Sequence, residues 1–316
     1  MTAKVGLIIG REWSFPLKFI EEVNRRDQGV VADYVKLGAT AMDAPGAYAV
    51  LVDRISHEVP FYRSYLKYAV LQGVTVVNNP FMWSADDKFF GATLAAKLGV
   101  ASPKTMALPN KDYIFAISHQ ESLRNLSFPL DWDTVVRDIG LPCILKDAHG
   151  GGWKDVYICR TREELLTHYN ESGLRTMIVQ EFIEWEQFVR CVCIGQQHVL
   201  PIRYDPKARA YIVDPDYLAP ALRDRIVTDS LTLVCALGYD MNSIEWAVKD
   251  GVPYAIDFMN PAPDFDVNSL TPEYFEWVVQ HMADFAIRLA THRPAAREFH
   301  WQAMFRGRDP SRTASA

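Results

Sequence analysis

The stretch SIEWAVKDGVPYAIDFMNPAPD, residues 243–264, decides how the second half of the chain folds. Two segments of alternating apolar residues flank Asp250-Gly251, the dipeptide that suits a tight turn between antiparallel strands, and a β-hairpin is predicted. Glu245 and Asp257 fall on the two strands and Asn260 just beyond the second, so two carboxylates and an amide oxygen can converge. Hard oxygen donors of this kind suit Mg²⁺ held together with nucleotide phosphates. Charges that merely solubilise an edge strand are the plainer alternative. Against it, both acids interrupt apolar runs, and the prolines of NPAPD impose a rigid exit from the second strand.

Upstream, PCILKDAHGGGWKDV, residues 142–156, places Lys146 at the end of an apolar strand and Gly150, Gly151 and Gly152 in the loop that follows. Glycines there let backbone N–H groups approach phosphate oxygens, and the lysine supplies a fixed positive charge. A flexible hairpin is the alternative. The spacing is neither that of the phosphate loop of P-loop proteins nor that of the dinucleotide fingerprint. Around these two stretches run further strands, YICR, MIVQEFI, QFVRCVCI and HVLPIRY, and two helices, TREELLTHYNES and LRDRIVTDSLTLVCALG, an α+β pattern with antiparallel strands. A last amphipathic helix is predicted from about Pro272 to Thr291, and the small polar residues of 306–316 predict a disordered tail. Between Pro103 and Pro142 one helix, starting at Asp131, interrupts an irregular connector.

The first hundred residues read differently. VGLIIG, PLKFIEEVNRR, VVADYVKLG, YAVLVDRIS, FYRSYLKYAVLQGV, TVVNNP and DKFFGATLAAKLGV alternate strand and helix signals, which predicts a parallel, doubly wound, Rossmann-like sheet. The loops GREWS and DRIS then open at the carboxyl edge, where such sheets bind ligands. Arg11, Glu12, Ser14, Arg54 and His57 are candidate substrate contacts, with local capping as the competing role for each.

The totals agree with a folded protein of two or three units: 316 residues, 49% hydrophobic and 12% aromatic. Thirty-three basic against 39 acidic residues leave −6, no broad electrostatic footprint for nucleic acid or an anionic membrane. The opening apolar run is too short to span a bilayer and lacks a signal-cleavage pattern. The five cysteines, an odd number within apolar segments, fit reduced thiols in a cytoplasmic protein. Cys191 and Cys193 share a strand face, but no second pair completes a zinc set.

In order along the chain, VTVVNNP with ADDKFFGATLAAKLGVASPKT, PCILK with HGGGWKDV, VQEFIEWEQFVRC, IEWAV and AIDFMNP together resemble the ATP-grasp superfamily, within it the group of glutathione synthetase and the ribosomal-protein glutamate ligases. The resemblance runs from about Val5 to Pro263. It implies an ATP-grasp fold preceded by a Rossmann-like domain: residues 1–103 on the substrate side, 104–183 as the central subdomain with the glycine loop, and 184–305 as the C-terminal subdomain with the metal site. It implies Lys88 and Lys146 as phosphate contacts and Gly150, Gly151 and Gly152 as the loop over the phosphates. Trp153 would either close over the phosphates or pack on the sheet. Gln180, Glu181, Phe182 and Ile183 match the hinge whose backbone reads adenine, and Glu186 the ribose-binding acid. Arg190 and Arg203 match arginines aimed at the transferred phosphoryl group or the acyl substrate. Glu245, Asp257 and Asn260 match the magnesium set, with Asp264 as the alternative to Asn260 because Asp257 and Asn260 are separated by two residues instead of one.

The activity so implied is ATP- and Mg²⁺-dependent joining of a small-molecule or peptide carboxylate to an amine through an acyl-phosphate. The sequence contains no nucleophile elbow or Cys–His arrangement to suggest covalent catalysis by the protein. A kinase that phosphorylates a hydroxyl, and a nucleotide-binding regulator without turnover, are the alternatives. No nucleic-acid or membrane partner is expected, and self-association is left open.

Overall fold

The computed structural model describes residues 2–42, 44, 46–82, 87–114, 123–127, 129–152 and 154–292; Trp153 and the tail 306–316 lie outside them. The chain divides into two compact units, Met1–Ala85 with Phe188–Trp246 and Phe258–Ala316, and Asp86–Gln187 with Ala247–Asp257.

The first unit opens with β1 (Ala3–Ile8), α1 (Ser14–Arg25), β2 (Val30–Tyr34), β3 (Val50–Asp53), α2 (Pro60–Leu71) and β4 (Thr75–Val77). The strands form a sheet in the order β2-β1-β3-β4, with every pair parallel, as the strand–helix alternation predicts. Val50, Leu51 and Val52 are fully buried, as expected of a central parallel strand covered on both faces.

The second unit holds α3 (Lys88–Lys97), β5 (Thr105–Ala107), α4 (Trp132–Ile139), β6 (Cys143–Asp147), β7 (Val156–Cys159), α5 (Arg162–Asn170) and β8 (Met177–Glu181), with its strands ordered β5-β8-β6-β7. All three ladders are antiparallel. Each helix starts at a side-chain cap. Asp87 accepts from the N–H groups of Phe89 and Phe90, Asp131 from that of Thr134, and Thr161 from that of Glu164. Leu145, Met177 and Val179 pack with Val135, Ile139 and Leu165 into the core of this unit.

The remaining elements are β9 (Gln187–Ile194), β10 (His198–Asp205), β11 (Ala210–Ile212), α6 (Pro220–Leu237), β12 (Met241–Lys249), β13 (Val252–Asn260) and α7 (Val267–Thr291). Their strand order is β11-β10-β9-β12-β13. The β12–β13 turn has φ of 51° at Asp250 and 71° at Gly251, the double positive that the dipeptide signals. Pro272 cannot continue a preceding helical turn, and the break falls one residue before it, at Thr271 with φ 69°. The long regular helix therefore begins at Pro272, and within the first unit α7 packs along α1.

Candidate active site

In the second unit, the inner strand β6 carries Lys146 next to its C-terminal end, and the lysine Nζ donates to the backbone carbonyl of Ile256 at 2.9 Å. Lys146 is buried, 7% exposed, and Ile256 directly precedes Asp257. The loop after β6 folds back on Asp147, which accepts from the N–H of His149 at 2.9 Å. A Cβ at Gly150 would come 2.9 Å from the Asp147 Cβ, so glycine is needed for this close approach; at Gly151 nothing lies within 4 Å, and Gly152 has φ 65°. Lys88, at the first turn of α3, ties the same loop down: its N–H donates to the Ala148 carbonyl at 3.1 Å and its Nζ to the Gly150 carbonyl. Lys88 is thus tied to the glycine loop, and Lys146 lies on the strand that leads into it.

At the end of β8, Gln180 is buried and donates to Thr105 Oγ1 at 2.8 Å. The N–H of Glu181 donates to the Lys104 carbonyl at 2.9 Å, while among the described residues the N–H groups of Phe182 and Ile183 have no recorded hydrogen-bond partner. Glu186 keeps an exposed side chain while its N–H donates to the Val248 carbonyl at 2.8 Å.

In the first unit, Arg190 on β9 and Glu245 on β12 form an ion pair at 2.5 Å, their side chains 16% and 9% exposed. The guanidinium stacks 4.7 Å from the Tyr204 ring centroid and 5.8 Å from that of Tyr211. Among the described residues its Nε is buried without a partner. Burial opposes the Arg190 charge, but Tyr211, Glu245 and Tyr204 outweigh it and hold the guanidinium above its ordinary range. Burial pushes the Tyr211 phenol up to about 12. Sequence reasoning missed both tyrosines, which reach Arg190 only through strand pairing.

Arg190 and Arg203 are not brought together. The register sets Ile202 opposite Arg190 and Val189 opposite Arg203, and paired residues share a face, so the two arginines project from opposite faces of the sheet. Arg203 instead donates to Asp214 at 2.8 Å and stacks 4.9 Å from the Tyr217 centroid.

Asn260 donates through Nδ2 to Ser243 Oγ at 3.0 Å, which orients its Oδ1, and its N–H donates to Asn242 Oδ1 at 2.8 Å. Both Asp264 oxygens are engaged by the start of the last helix: Oδ1 accepts from the N–H of Asp266 at 3.0 Å and Oδ2 from Ser269 Oγ at 2.6 Å. The exit NPAPD is pinned through its backbone, Asn78 Nδ2 donating to the Pro261 carbonyl at 2.7 Å and Arg54 to that of Pro263.

Arg54 therefore serves as an internal strut. Its side chain, 1% exposed, pairs with Glu12 and lies 4.6 Å from the Phe265 ring centroid and 5.3 Å from that of Phe15. Ser14 bridges Asp266 at 2.9 Å and the N–H of Val267 at 3.0 Å. Of the five candidate substrate contacts, Arg11 and His57 keep exposed side chains. Removing Arg54 strands Glu12 and the Pro263 carbonyl, so Arg54→Ala is expected to lower stability by about 3 kcal/mol, measured by urea unfolding of the full chain; a change under about 0.5 kcal/mol, the range of ordinary surface substitutions, contradicts the strut.

No protein-family model matches the chain. It is similar to the D-alanine–D-alanine ligase of Polynucleobacter asymbioticus, 27% identical over 163 residues, which are 45% of this chain and 48% of that protein. It is also similar to that of Fervidobacterium nodosum, 30% identical over 141 residues, 39% of this chain and 45% of that protein. The chain thus matches about half the length of these relatives. Among solved structures it superposes on a RimK domain ATP-grasp protein from Sphaerobacter thermophilus with TM-score 0.62 and 20% identity, covering 90% of this chain and all of that one. On the D-alanine–D-alanine ligase from Bacillus anthracis complexed with ATP, the TM-score is 0.62 at 16% identity, with 93% of this chain and 100% of that chain covered. By its parallel and antiparallel sheets and by these superpositions, the chain has the ATP-grasp fold.

Proposed function

We propose that the protein is an ATP- and Mg²⁺-dependent ligase that joins a small-molecule or peptide carboxylate to an amine, ADP-forming, through an acyl-phosphate. The observation that carries this reading is the Lys146 ammonium fixed on the carbonyl of Ile256, one residue before Asp257. A buried cation fixed on the strand that carries Asp257, with a glycine loop tied to a second lysine, suits phosphoryl transfer.

The donors present fit the groups implied. Lys88, Lys146 and Gly150–Gly152 would hold the phosphates, the N–H groups beyond Glu181 at Phe182 and Ile183 would read adenine, and Glu186 would accept from the ribose. Gln180, paired on both sides in β8 and donating to Thr105, would anchor this hinge segment. Glu245, Asp257 and Asn260 offer hard oxygens to Mg²⁺, and Asn260 is preferred over Asp264, whose oxygens are engaged. Bound ATP and Mg²⁺ supply the phosphoryl group and neutralise the charge that develops during its transfer.

The carboxylate oxygen of the substrate bonds to the γ-phosphorus as ADP leaves. The amine then adds to the acyl carbon, and phosphate and a proton depart. Arg190, held by Glu245 and two rings, stabilises the transferring charge; Arg203, on the other face, is left for the acyl substrate. Arg11 and His57 are the remaining substrate contacts we propose. Residues 1–103 act on the substrate side, and 104–183 and 184–305 supply nucleotide and metal. Five free cysteines and the demand for ATP suit the cytoplasm.

Gly150→Ala is expected to lower ATP-dependent turnover by on the order of a hundredfold, because the new Cβ displaces the loop from Asp147. Gly151→Ala, in open space, is expected to stay near wild type; equal loss in both contradicts the loop geometry. The reading is tested by calorimetric titration of the full chain with ATP and Mg²⁺: saturable binding that Lys146→Met weakens is expected, and identical binding in both proteins overturns it.

A further inference from the structure

Cys143 and Cys159 stand directly opposite each other in the β6–β7 ladder. Opposed residues of an antiparallel pair have Cα atoms roughly 4.5–5.5 Å apart, within the 4.4–6.8 Å that a disulfide spans, and their side chains share a face. Both thiols lie in the apolar core of the second unit, 1% and 0% exposed. Burial disfavours the anionic form of both thiols while they stay packed in this core. The other cysteines offer no such pairing in a ladder: Cys191 and Cys193 are two apart on one strand, and burial pushes the Cys191 thiol up to about 12.

The pair also has a place. β6 and β7 are the arms of the hairpin whose loop carries Gly150, Gly151 and Gly152, with Lys146 on one arm. A bond between Cys143 and Cys159 clamps the base of that hairpin.

We propose that Cys143 and Cys159 are a redox modification site, forming a cross-strand disulfide when the protein meets a peroxide. When the hairpin opens, one of the two sulfurs loses its proton to water and, as thiolate, attacks one oxygen of hydrogen peroxide, breaking the O–O bond and giving a sulfenic acid and, once the released hydroxide takes up a proton, water. The other sulfur then attacks the sulfenic sulfur, the S–S bond forms, and hydroxide leaves to take up that thiol's proton as a second water. Peroxide is the oxidant and two thiols are the reductant. A small uncharged oxidant reaches a buried pair through opening of the hairpin, and a thiol reductant reverses the change. The closed loop restricts the unfolded chain, so the oxidised protein unfolds at a higher temperature.

The test treats the full chain with hydrogen peroxide and reads intact mass, titratable thiols and peptide linkage. Expected are a loss of about 2 Da, the two hydrogens given up, a fall from five thiols to three, a linked peptide pair containing Cys143 and Cys159, a raised unfolding midpoint, and reversal by dithiothreitol. Cys143→Ala and Cys159→Ala should each abolish the linkage, and Cys235→Ser should leave it. Because either core variant can lose stability, the linkage map of the wild-type protein decides independently. Five thiols remaining after treatment, oxygen addition without linkage, or a disulfide joining other cysteines overturns the proposal. None of these readouts depends on nucleotide binding or turnover.

Discussion

Asp257→Asn is expected to abolish turnover and leave the fold intact. The substitution keeps the size of a half-buried side chain on β13 and removes one negative charge. In the proposed reaction that charge holds Mg²⁺ against the phosphates. Loss of a metal-binding carboxylate removes several kcal/mol of transition-state charge stabilisation. The expected fall is at least a thousandfold at limiting Mg²⁺, only partly recovered at high Mg²⁺, with the urea midpoint unchanged. Activity near wild type at limiting Mg²⁺ places the metal elsewhere.

The second large effect separates the two arginines. Arg190→Ala removes the buried partner of Glu245, which costs about 3–5 kcal/mol of stability, so its inactivity proves little. Arg190→Lys keeps the charge but loses the planar fork between Glu245 and the tyrosine rings. It is expected to remain folded and to lose on the order of a hundredfold in kcat. Arg203→Ala, at a side chain 41% exposed, is expected to change the KM for the acyl substrate and leave kcat within a few-fold. A kcat loss in Arg203→Ala as large as that in Arg190→Lys contradicts the assignment by sheet face.

Most of the fold was legible because its signals are local. The turn at Asp250-Gly251, the Asp131 cap and the break before Pro272 each depend on residues within one turn of chain. Two short strands, Thr105–Ala107 and Ala210–Ile212, carry no comparable signal, since neither TMA nor AYI has the β-branched run of Thr75–Val77. At the site, Lys146 and the glycines could be read because strand, charge and loop follow one another in sequence. The faces of Arg190 and Arg203 were also encoded, in the turn Gly195–Gln197 that sets His198 opposite Ile194, but only counting the register from that turn reveals them. Arg54 could not be read at all. Nothing near it in the sequence foretells that its guanidinium meets a carbonyl 209 positions away.

The ligase assignment rests on the fate of one phosphorus atom. Phosphorus-31 NMR of a completed reaction follows it directly, with the full chain, ATP, Mg²⁺ and pooled amino acids and small carboxylates as reactants. The account predicts ADP and inorganic phosphate in equal amounts, a Mg²⁺-dependent yield, and a condensed product without phosphorus. A stable phosphorylated product without stoichiometric free phosphate contradicts it and makes the protein a kinase; ATP unchanged in every pool despite saturable binding makes it a nucleotide-binding regulator.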